Sequence, residues 1–295
     1  MTTQPDQAMI DSLRAALASH GSVAVEGHWH PLSGGRTNRL WQVTAPSGAP
    51  VVVKLYTGDP GNPLFPNDPQ VERHVLRHLQ GQGIAPRLLD FAETPLGPCL
   101  IYGHVAGTNW AGGAAIAARA LHRVHTAAPP ANLRRSPDGS AALADQTRSI
   151  LRLCSSHAAR AATALEPSCP SVAPSGQAAL LHGDPVPGNM VVSGNTACLI
   201  DWQCPSIGDP CEDLAVFLSP AMQLAYRGHP LKSVEKAAFL ASYAWPGMAD
   251  RYRALAPWYH WRMLAYCLWR HEQGDTQARI AAQAEQQALT TLMQG

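Results

Sequence analysis

Apolar positions in the first hundred residues follow a helical period once and then break into short, strand-like runs. Residues 6–19 place four apolar side chains at helical spacing before a glycine suited to end the helix: Met9, Ile10, Leu13, Leu17 and Gly21. Segments 39–44 (RLWQVT) and 51–56 (VVVKLY) flank APSGAP, a pattern that predicts an antiparallel hairpin. A helical period returns over 70–83 (QVERHVLRHLQGQG), and LLDFAE and CLIYGHV predict two more strands. This region therefore indicates a small sheet with one main helix.

Beyond residue 110 helical patterns dominate. Segments 112–127 and 141–165 predict helices, and helices are expected again from 212 to the end. Between them, AALLHG and MVVS with ACLIDW are short apolar runs bounded by turn residues, which indicates a second hairpin. We therefore predict an α+β, bilobed architecture. Its sheet-rich first lobe comprises residues 1–103, and its larger helical lobe comprises residues 104–295.

Composition narrows the class of protein. Of 295 residues, 46% are hydrophobic and 15% are charged, which is enough for a full core and unlike a disordered chain. Lys and Arg number 22 against 21 Asp and Glu, a formal net charge of +1. Such a balance gives no sign of a nucleic-acid-binding or membrane-surface protein. No stretch approaches the ~18 consecutive apolar residues of a membrane span, so we expect neither nucleic acid nor membrane as a partner.

The seven cysteines predict reduced thiols rather than disulfides. No CxxC occurs, and the start of the chain shows no export signal. Cys198, Cys204 and Cys211 lie near one another in sequence, but their spacings do not suit a zinc site. We therefore expect a cytoplasmic protein.

Segment 180–202 (LLHGDPVPGNMVVSGNTACLIDW) holds the strongest candidate chemistry. Pairing of its two strands through SGNT would bring Asp184 and Asn189 near Asp201. Two carboxylates and an amide oxygen suit Mg²⁺, which completes its shell with water and phosphate. A carboxylate left free of metal could accept a hydroxyl proton. The alternative for Asp184 is that it only caps a turn before proline.

A second group of candidates lies in the first lobe. Lys54 interrupts an apolar strand, where it either extends to solvent from an edge or needs a buried partner. Glu72 lies on the apolar side of the next predicted helix and could supply that partner. Gly34 and Gly35, in the turn before the first hairpin, would let backbone N–H groups approach phosphate oxygens.

These elements together resemble a known family. The glycine turn, Lys54, Glu72, HGDxxxxN at 182–189 and DW at 201–202 follow the order found in protein-kinase-like phosphotransferases. HGDxxxxN, followed by IDWxxxxxGDPxxDLA at 200–215, is similar to the aminoglycoside phosphotransferase and choline kinase branch. The GGxTN turn is similar to that of choline and thiamine kinases. The resemblance covers about residues 30–270.

The resemblance implies an ATP- and Mg²⁺-dependent kinase acting on a hydroxyl of a small, amine-bearing molecule. It implies that Asp184 is the catalytic base and that Asn189 and Asp201 bind Mg²⁺. Lys54, braced by Glu72, would hold the α- and β-phosphates. Residues 98–107 resemble the hinge between lobes, so adenine would bond to backbone near two residues, Gly103 and Val105. His182 would support the catalytic loop, and Asp209 and Asp213 would brace the second lobe.

Other features leave alternatives open. His122 and His125 could form a metal pair, although a packed structural role is the simpler interpretation. The aromatic stretch 257–272 predicts core, with flanks that could contact a cationic amine. The sequence does not rank Glu212, Asp250 or Glu272 as ligands for such an amine. The competing function is a nucleotide-binding module of the same fold without turnover.

Overall fold

The computed structural model describes residues 4–22, 26–32, 37–44, 48–58 and 61–294. The chain divides into two compact units, one formed by Met1–Gly107 with Cys198–Cys204, the other by Thr108–Ala197 with Pro205–Gly295. The short segment Cys198–Cys204 thus packs with the first unit although it lies far along the sequence. Within the described residues, no helix is both long and apolar enough to span a lipid bilayer.

A five-stranded antiparallel sheet forms the centre of the first unit. Its strands in chain order are β1 His28–Pro31, β2 Arg39–Thr44, β3 Val51–Leu55, β4 Leu88–Thr94 and β5 Gly97–Gly103. They lie in the order β1-β2-β3-β5-β4. The predicted hairpin is present, because β2 pairs with β3 in antiparallel register from Arg39 opposite Leu55 to Val43 opposite Val51. β3 is therefore a central strand, with a neighbour on each side.

Helices pack against this sheet through their apolar sides. Helix α1, Gln4–Ser19, buries its helical stripe in a cluster with sheet residues, among them Trp29 and Trp41. Helix α2, Pro69–His78, begins with Asp68, whose side chain accepts from the amides of Gln70 and Val71, and with proline at its first position. The buried side of α2 carries Glu72 together with Val75 and Leu76.

The second unit is mostly helical. Its helices are α3 Ala114–Thr126, α4 Ser140–Arg152, α5 His157–Thr163, α6 Cys211–Leu218, α7 Pro220–Arg227, α8 Ser233–Ser242, α9 Met248–Glu272 and α10 Ala278–Gln294. Helix α9 is buried on all sides from Leu255 to Trp269, as expected for a helix without a polar stripe. The aromatic stretch in α9 is therefore core, as the sequence predicts.

Short strands connect these helices. They are β6 Thr108–Asn109, β7 Ala179–Leu181, β8 Met190–Ser193, β9 Thr196–Leu199 and β10 Ser206–Gly208. β7 pairs antiparallel with β10, while β6, β8 and β9 form a separate three-stranded sheet in that order. The loop between β7 and β8 carries HGDPVPGN, and β9 leads into the DW segment.

Candidate active site

Lys54 lies in the core of the first unit and does not extend to solvent. It occupies the central strand β3 and is fully buried. Its Nζ donates to Glu72 Oε2 at 2.5 Å and to Asp201 Oδ1, and it contacts Gln203 Oε1 at 3.5 Å. A buried ammonium needs such partners, because an unpaired charge in the core is prohibitively costly.

The two carboxylates keep Lys54 charged. Burial by itself lowers the pKa of Lys54, but the nearby charges of Asp201 and Glu72 outweigh burial and raise that pKa above its usual value. Tyr56, two residues further along the chain, has its pKa raised well above the ordinary value, first by burial and then by Glu72. Tyr56 is therefore a neutral hydroxyl donor.

Glu72 joins three parts of the first unit. Its Oε2 accepts from Lys54 and from the Tyr56 hydroxyl, both contributed by β3 and the residues that follow it. Its Oε1 accepts from the backbone amide of Trp202 at 3.2 Å. Helix α2 is thereby tied to the sheet and to the segment Cys198–Cys204.

Three buried amide side chains extend this network, and sequence reasoning missed all three as site residues. Asn38, within the GGRTN motif, donates to Asn67 Oδ1 at 2.8 Å and to Gln203 Oε1 at 3.0 Å. Asn67 donates back to Asn38 at 2.9 Å and to the carbonyl of Gly58 at 3.1 Å. These bonds link the end of the GGRTN turn to the residue that also contacts Lys54. Gln203 could have been suspected, since it directly follows DW.

The sequence predicts nucleotide contacts at four backbone positions of the first unit, namely Gly34, Gly35, Gly103 and Val105. Gly34 and Gly35 lie outside the described residues. The Gly103 amide, at the end of β5, already donates to the Arg87 carbonyl at 2.9 Å, so this amide is not available to a ligand. Val105 follows in the loop and is half-buried. Among the described residues, neither the N–H nor the C=O group of Val105 has a hydrogen-bond partner.

Asp184 and Asn189 lie together in the second unit, in the loop after β7. A single 3-10 turn, Pro187–Asn189, closes this loop. Asn189 Nδ2 donates to the Asp184 carbonyl at 3.0 Å and to Asp184 Oδ2 at 3.2 Å, and the Asp184 amide donates to His182 Nδ1 at 3.3 Å. The Asn189 side chain therefore fixes the rotamer of the half-buried Asp184 carboxylate.

Asp213, at the start of α6, anchors this loop by accepting hydrogen bonds from its backbone. It is fully buried, and its two oxygens accept from the amides of His182 at 2.7 Å and Gly183 at 2.9 Å. His125 Nε2 also lies 3.0 Å from Asp213 Oδ2. Burial would raise the pKa of Asp213, but the hydrogen bond and charge of His125, with His182, outweigh burial and lower that pKa. Asp213 is thus a carboxylate that anchors the loop.

The pair His122 and His125 serves packing in the structure. His125 is buried between Asp213 and the Tyr243 hydroxyl, which lies 2.6 Å from its Nδ1. His122 packs edge-on against the rings of Tyr243 and Trp245, with centroids 5.7 Å and 6.4 Å away. Both imidazoles are therefore engaged in the interior of the second unit.

Each of the three acidic residues that the sequence did not rank has a partner within the protein. Glu212 is buried and pairs with Arg262 at 2.6 Å. Asp250 is 85% exposed and pairs with Arg253. Glu272 accepts from two backbone amides at the start of α5, at 2.8 Å and 3.0 Å.

The candidate magnesium ligands offer the right atoms. Asn189 uses its NH₂ group for Asp184, and within the part of the chain that the structure describes its Oδ1 has no hydrogen-bond partner. Asp201 bonds Lys54 through Oδ1 and its side chain is 27% exposed; no described residue donates to its Oδ2. Carboxylate and amide oxygens are the ligands that Mg²⁺ prefers, so the oxygen that each residue leaves without a partner suits the ion.

The structure therefore groups the predicted residues by unit. Lys54, Glu72 and Asp201 lie in contact within the first unit. Asp184 and Asn189 lie in contact within the second. The first group provides an ammonium and two carboxylates, and the second provides an amide oxygen and a carboxylate held in one orientation.

Several solved structures share this fold over nearly the whole chain. A choline/ethanolamine kinase family protein from Mesorhizobium loti has a TM-score of 0.68 at 18% identity, covering 97% of this chain and 95% of that one. A choline kinase from Streptococcus pneumoniae has a TM-score of 0.66 at 17% identity, with 96% and 99% covered. Spectinomycin phosphotransferase in complex with ADP and spectinomycin has a TM-score of 0.56 at 16% identity, with 95% and 93% covered. These likenesses confirm the predicted α+β, protein-kinase-like fold.

Sequence comparison supplies the family. No protein with a curated description matches the chain. The family model described as the phosphotransferase enzyme family matches residues 28–258, which is most of the chain. That match confirms the predicted family. The chain therefore belongs to the phosphotransferase enzyme family and is a small-molecule phosphotransferase.

Proposed function

We propose that this enzyme transfers the γ-phosphate of ATP, with Mg²⁺, to a hydroxyl of a small amine-bearing metabolite of the choline, thiamine or aminoglycoside kind. Lys54, braced by Glu72, holds the α- and β-phosphates. Asn189 and Asp201 bind Mg²⁺, and Asp184 accepts the proton of the hydroxyl. Bound Mg²⁺ would neutralise charge on the phosphates. Phosphoryl transfer has a loose transition state, so it asks mainly for such positioning and charge neutralisation.

The observation that carries this proposal is the buried ammonium of Lys54 between two carboxylates. An ion cluster in a core contributes little stability by comparison with apolar packing, so a functional role is the better explanation. The ammonium has three donors. Two face Glu72 and Asp201, while the third has only the long 3.5 Å contact with Gln203. A phosphate oxygen can take that third donor without leaving Glu72 unpaired.

The arrangement around Asp184 supports its role as base. A base must be held within hydrogen-bond reach of the proton that it takes. Asn189 and the His182 ring hold the Asp184 side chain and backbone from two directions. Asp184 is half-buried, so one part of the residue remains accessible to a substrate.

The adenine contact is proposed at Val105 more than at Gly103. Both unpaired backbone groups of Val105 can serve a donor–acceptor edge, whereas the Gly103 amide is occupied. Gly34 and Gly35 are proposed to present backbone N–H groups to the phosphates. The amine-bearing acceptor is supported by the names of the structural relatives, which include choline/ethanolamine and spectinomycin enzymes.

The test is ATP consumption with Mg²⁺ in the presence of choline, ethanolamine, thiamine or an aminoglycoside. We expect at least one acceptor to support turnover, and Asp184→Asn to lower it by roughly 10²–10⁴-fold while ATP still binds, the usual contribution of a general base. Asp145→Asn is the matched control, since Asp145 is 78% exposed on α4. Unchanged turnover in Asp184→Asn would refute the assignment of the base.

Nucleotide binding tests the metal role separately. Asp201→Ala should abolish Mg²⁺-dependent binding of ATP, measured by calorimetry with and without the ion. Normal affinity in that variant would contradict the proposed ligand. Binding of ATP with Mg²⁺ but no turnover on the panel would favour the competing function, a nucleotide-binding module without catalysis.

A further inference from the structure

A cavity lies in the first unit, apart from the residues assigned above. It has a volume of about 430 Å³ and opens between helix α2 and strand β4. Cavities of this size are typical of small-molecule sites. Neither Lys54, Glu72 nor Asp201 lines it. Its polar lining includes five residues: Arg73, Arg77, Gln80, Arg87 and Asp90.

The three arginines that share this cavity have no ion-pair partner among the described residues. Among the described residues, the guanidinium groups of Arg73, Arg77 and Arg87 form no ion pair and no hydrogen bond. Some arginines elsewhere in the chain do pair with carboxylates; Arg251, for example, pairs with Asp138 and Asp209. At this cavity, by contrast, three unpaired guanidiniums lie together.

The sequence spacing makes the cluster costly in the absence of an anion. Arg73 and Arg77 are four residues apart on α2, so they lie on the same side of the helix, where like charges destabilise it. Arg87 adds a third positive charge immediately before β4. A bound anion would remove this repulsion and would gain several charge-assisted hydrogen bonds.

Arg73 is held ready to donate. Its guanidinium lies over the ring of Phe91, 4.6 Å from the ring centroid, and its Nε is buried without a hydrogen-bond partner. Stacking on an aromatic face orders the guanidinium in advance, and its planar fork matches the oxygens of phosphate. The Nε of Arg73 is thus a donor that no described residue of the protein uses.

The charge balance indicates which anion fits. Asp90 also lines the cavity, and its Oδ1 accepts from the Phe91 amide. Three guanidiniums against one carboxylate leave an excess of two positive charges. A monocarboxylate would neutralise only one of them, whereas a phosphate dianion or a pyrophosphate group can neutralise both.

We propose that the cavity lined by Arg73, Arg77 and Arg87 is a binding site for a small phosphate-bearing anion, separate from the nucleotide site. Free phosphate or pyrophosphate and the phosphate group of an organic ester present the same chemistry to it. The site is independent of turnover, since none of its residues has a role in the proposed transfer.

The test is calorimetric titration of the full chain with pyrophosphate, without ATP, metal or acceptor. The variant R77Q/R87Q changes two exposed residues, and R119Q/R279Q removes the same charge from exposed positions elsewhere. We expect the dissociation constant of one pyrophosphate site to rise at least tenfold in R77Q/R87Q and to stay unchanged in R119Q/R279Q. Pyrophosphate should also raise the melting temperature of the unmodified chain and the control but raise that of R77Q/R87Q less.

Three outcomes would overturn the proposal. These are no binding of pyrophosphate by the unmodified chain, equal affinity in R77Q/R87Q, or an equal loss in both double variants. The last would show a general effect of net charge. Because neither ATP nor acceptor is present, failure here says nothing against the proposed phosphotransfer, and failure of the turnover assay says nothing against this site.

Discussion

Asp213→Asn is the substitution that best separates anchoring from chemistry. The Asp213 carboxylate is fully buried and accepts three hydrogen bonds, from the His182 amide, the Gly183 amide and His125 Nε2. An asparagine has nearly the same shape but only one accepting oxygen. In either orientation, its NH₂ group must face at least one N–H donor.

The cost can be worked out from these bonds. The better orientation keeps the oxygen where His182 and His125 donate, and it leaves the Gly183 amide without an acceptor. A buried orphan donor costs about 1–3 kcal/mol. Loss of the negative charge also weakens the two remaining bonds, since hydrogen bonds to a charged acceptor are stronger than those to a neutral one. We therefore expect the free energy of unfolding to fall by about 3–5 kcal/mol, the size of the loss when a buried, hydrogen-bonded charge network is broken.

The assay is urea unfolding at pH 7, followed by tryptophan fluorescence, with Asp145→Asn as the control. Asp145 forms an exposed pair with Arg148, so its variant should change stability by no more than about 0.5 kcal/mol. A decrease below about 1 kcal/mol in Asp213→Asn would refute the argument. Turnover should fall by about 10²-fold even where the variant is folded, because Asp213 sets the position of the backbone just before Asp184.

Three further predictions concern Asp213, Gly188 in the loop that Asp213 anchors, and Tyr56 beside Glu72. The pKa of Asp213 is lowered in the folded state. The Asp213 carboxylate therefore contributes its full stabilisation above the unfolded pKa of about 3.9, and this contribution is lost as the pH falls below that value. Between pH 7 and 3, the urea midpoint of unfolding should decline less steeply for Asp213→Asn than for the unmodified chain. Gly188→Ala would place a Cβ 2.6 Å and 2.8 Å from two ring carbons of Tyr226, costing about 1–3 kcal/mol and lowering kcat; adding Tyr226→Ala should restore part of kcat, and no recovery would show that the ring is not the obstacle. Tyr56→Phe removes a hydroxyl that donates to Glu72, so calorimetric stability should fall by about 0.5–1.5 kcal/mol, whereas an unchanged melting temperature would show that the bond contributes nothing.

Much of the first unit could be predicted because its signals are local. The hairpin of β2 and β3 follows from two β-branched runs around a turn, and α2 follows from its period and from Asp68 with a proline at its start. Lys54 is conspicuous because a charge interrupts an apolar strand. Glu72 is conspicuous because it lies on the apolar side of the next helix. A buried charge needs a partner, so the pair could be inferred before any coordinates.

The amide network could not be predicted in the same way. Asn38 and Gln203 bond across a separation of 165 residues, and Asn67 comes from a loop rich in proline and glycine. Side-chain amides in loops carry no hydrophobic period, so a sequence does not show which of them are buried. Tyr56 is different: it lies two residues after Lys54, and alternation along an extended chain places such residues on one side. The strand pattern therefore indicates that Tyr56 lies on the same side as Lys54.

The sequence predicts Glu72 as the partner of Lys54 and Asp201 as a magnesium ligand, whereas the structure places both carboxylates on Lys54 and separates them by their exposure. Glu72 is 1% exposed, and both its oxygens are taken by Lys54, Tyr56 and the Trp202 amide. Asp201 is 27% exposed and has positive φ, 65°, a conformation that its short polar side chain tolerates. The partner that can exchange Lys54 for a ligand is therefore Asp201. Glu72 keeps its contacts, because without its carboxylate three buried donors would lose their acceptor at once.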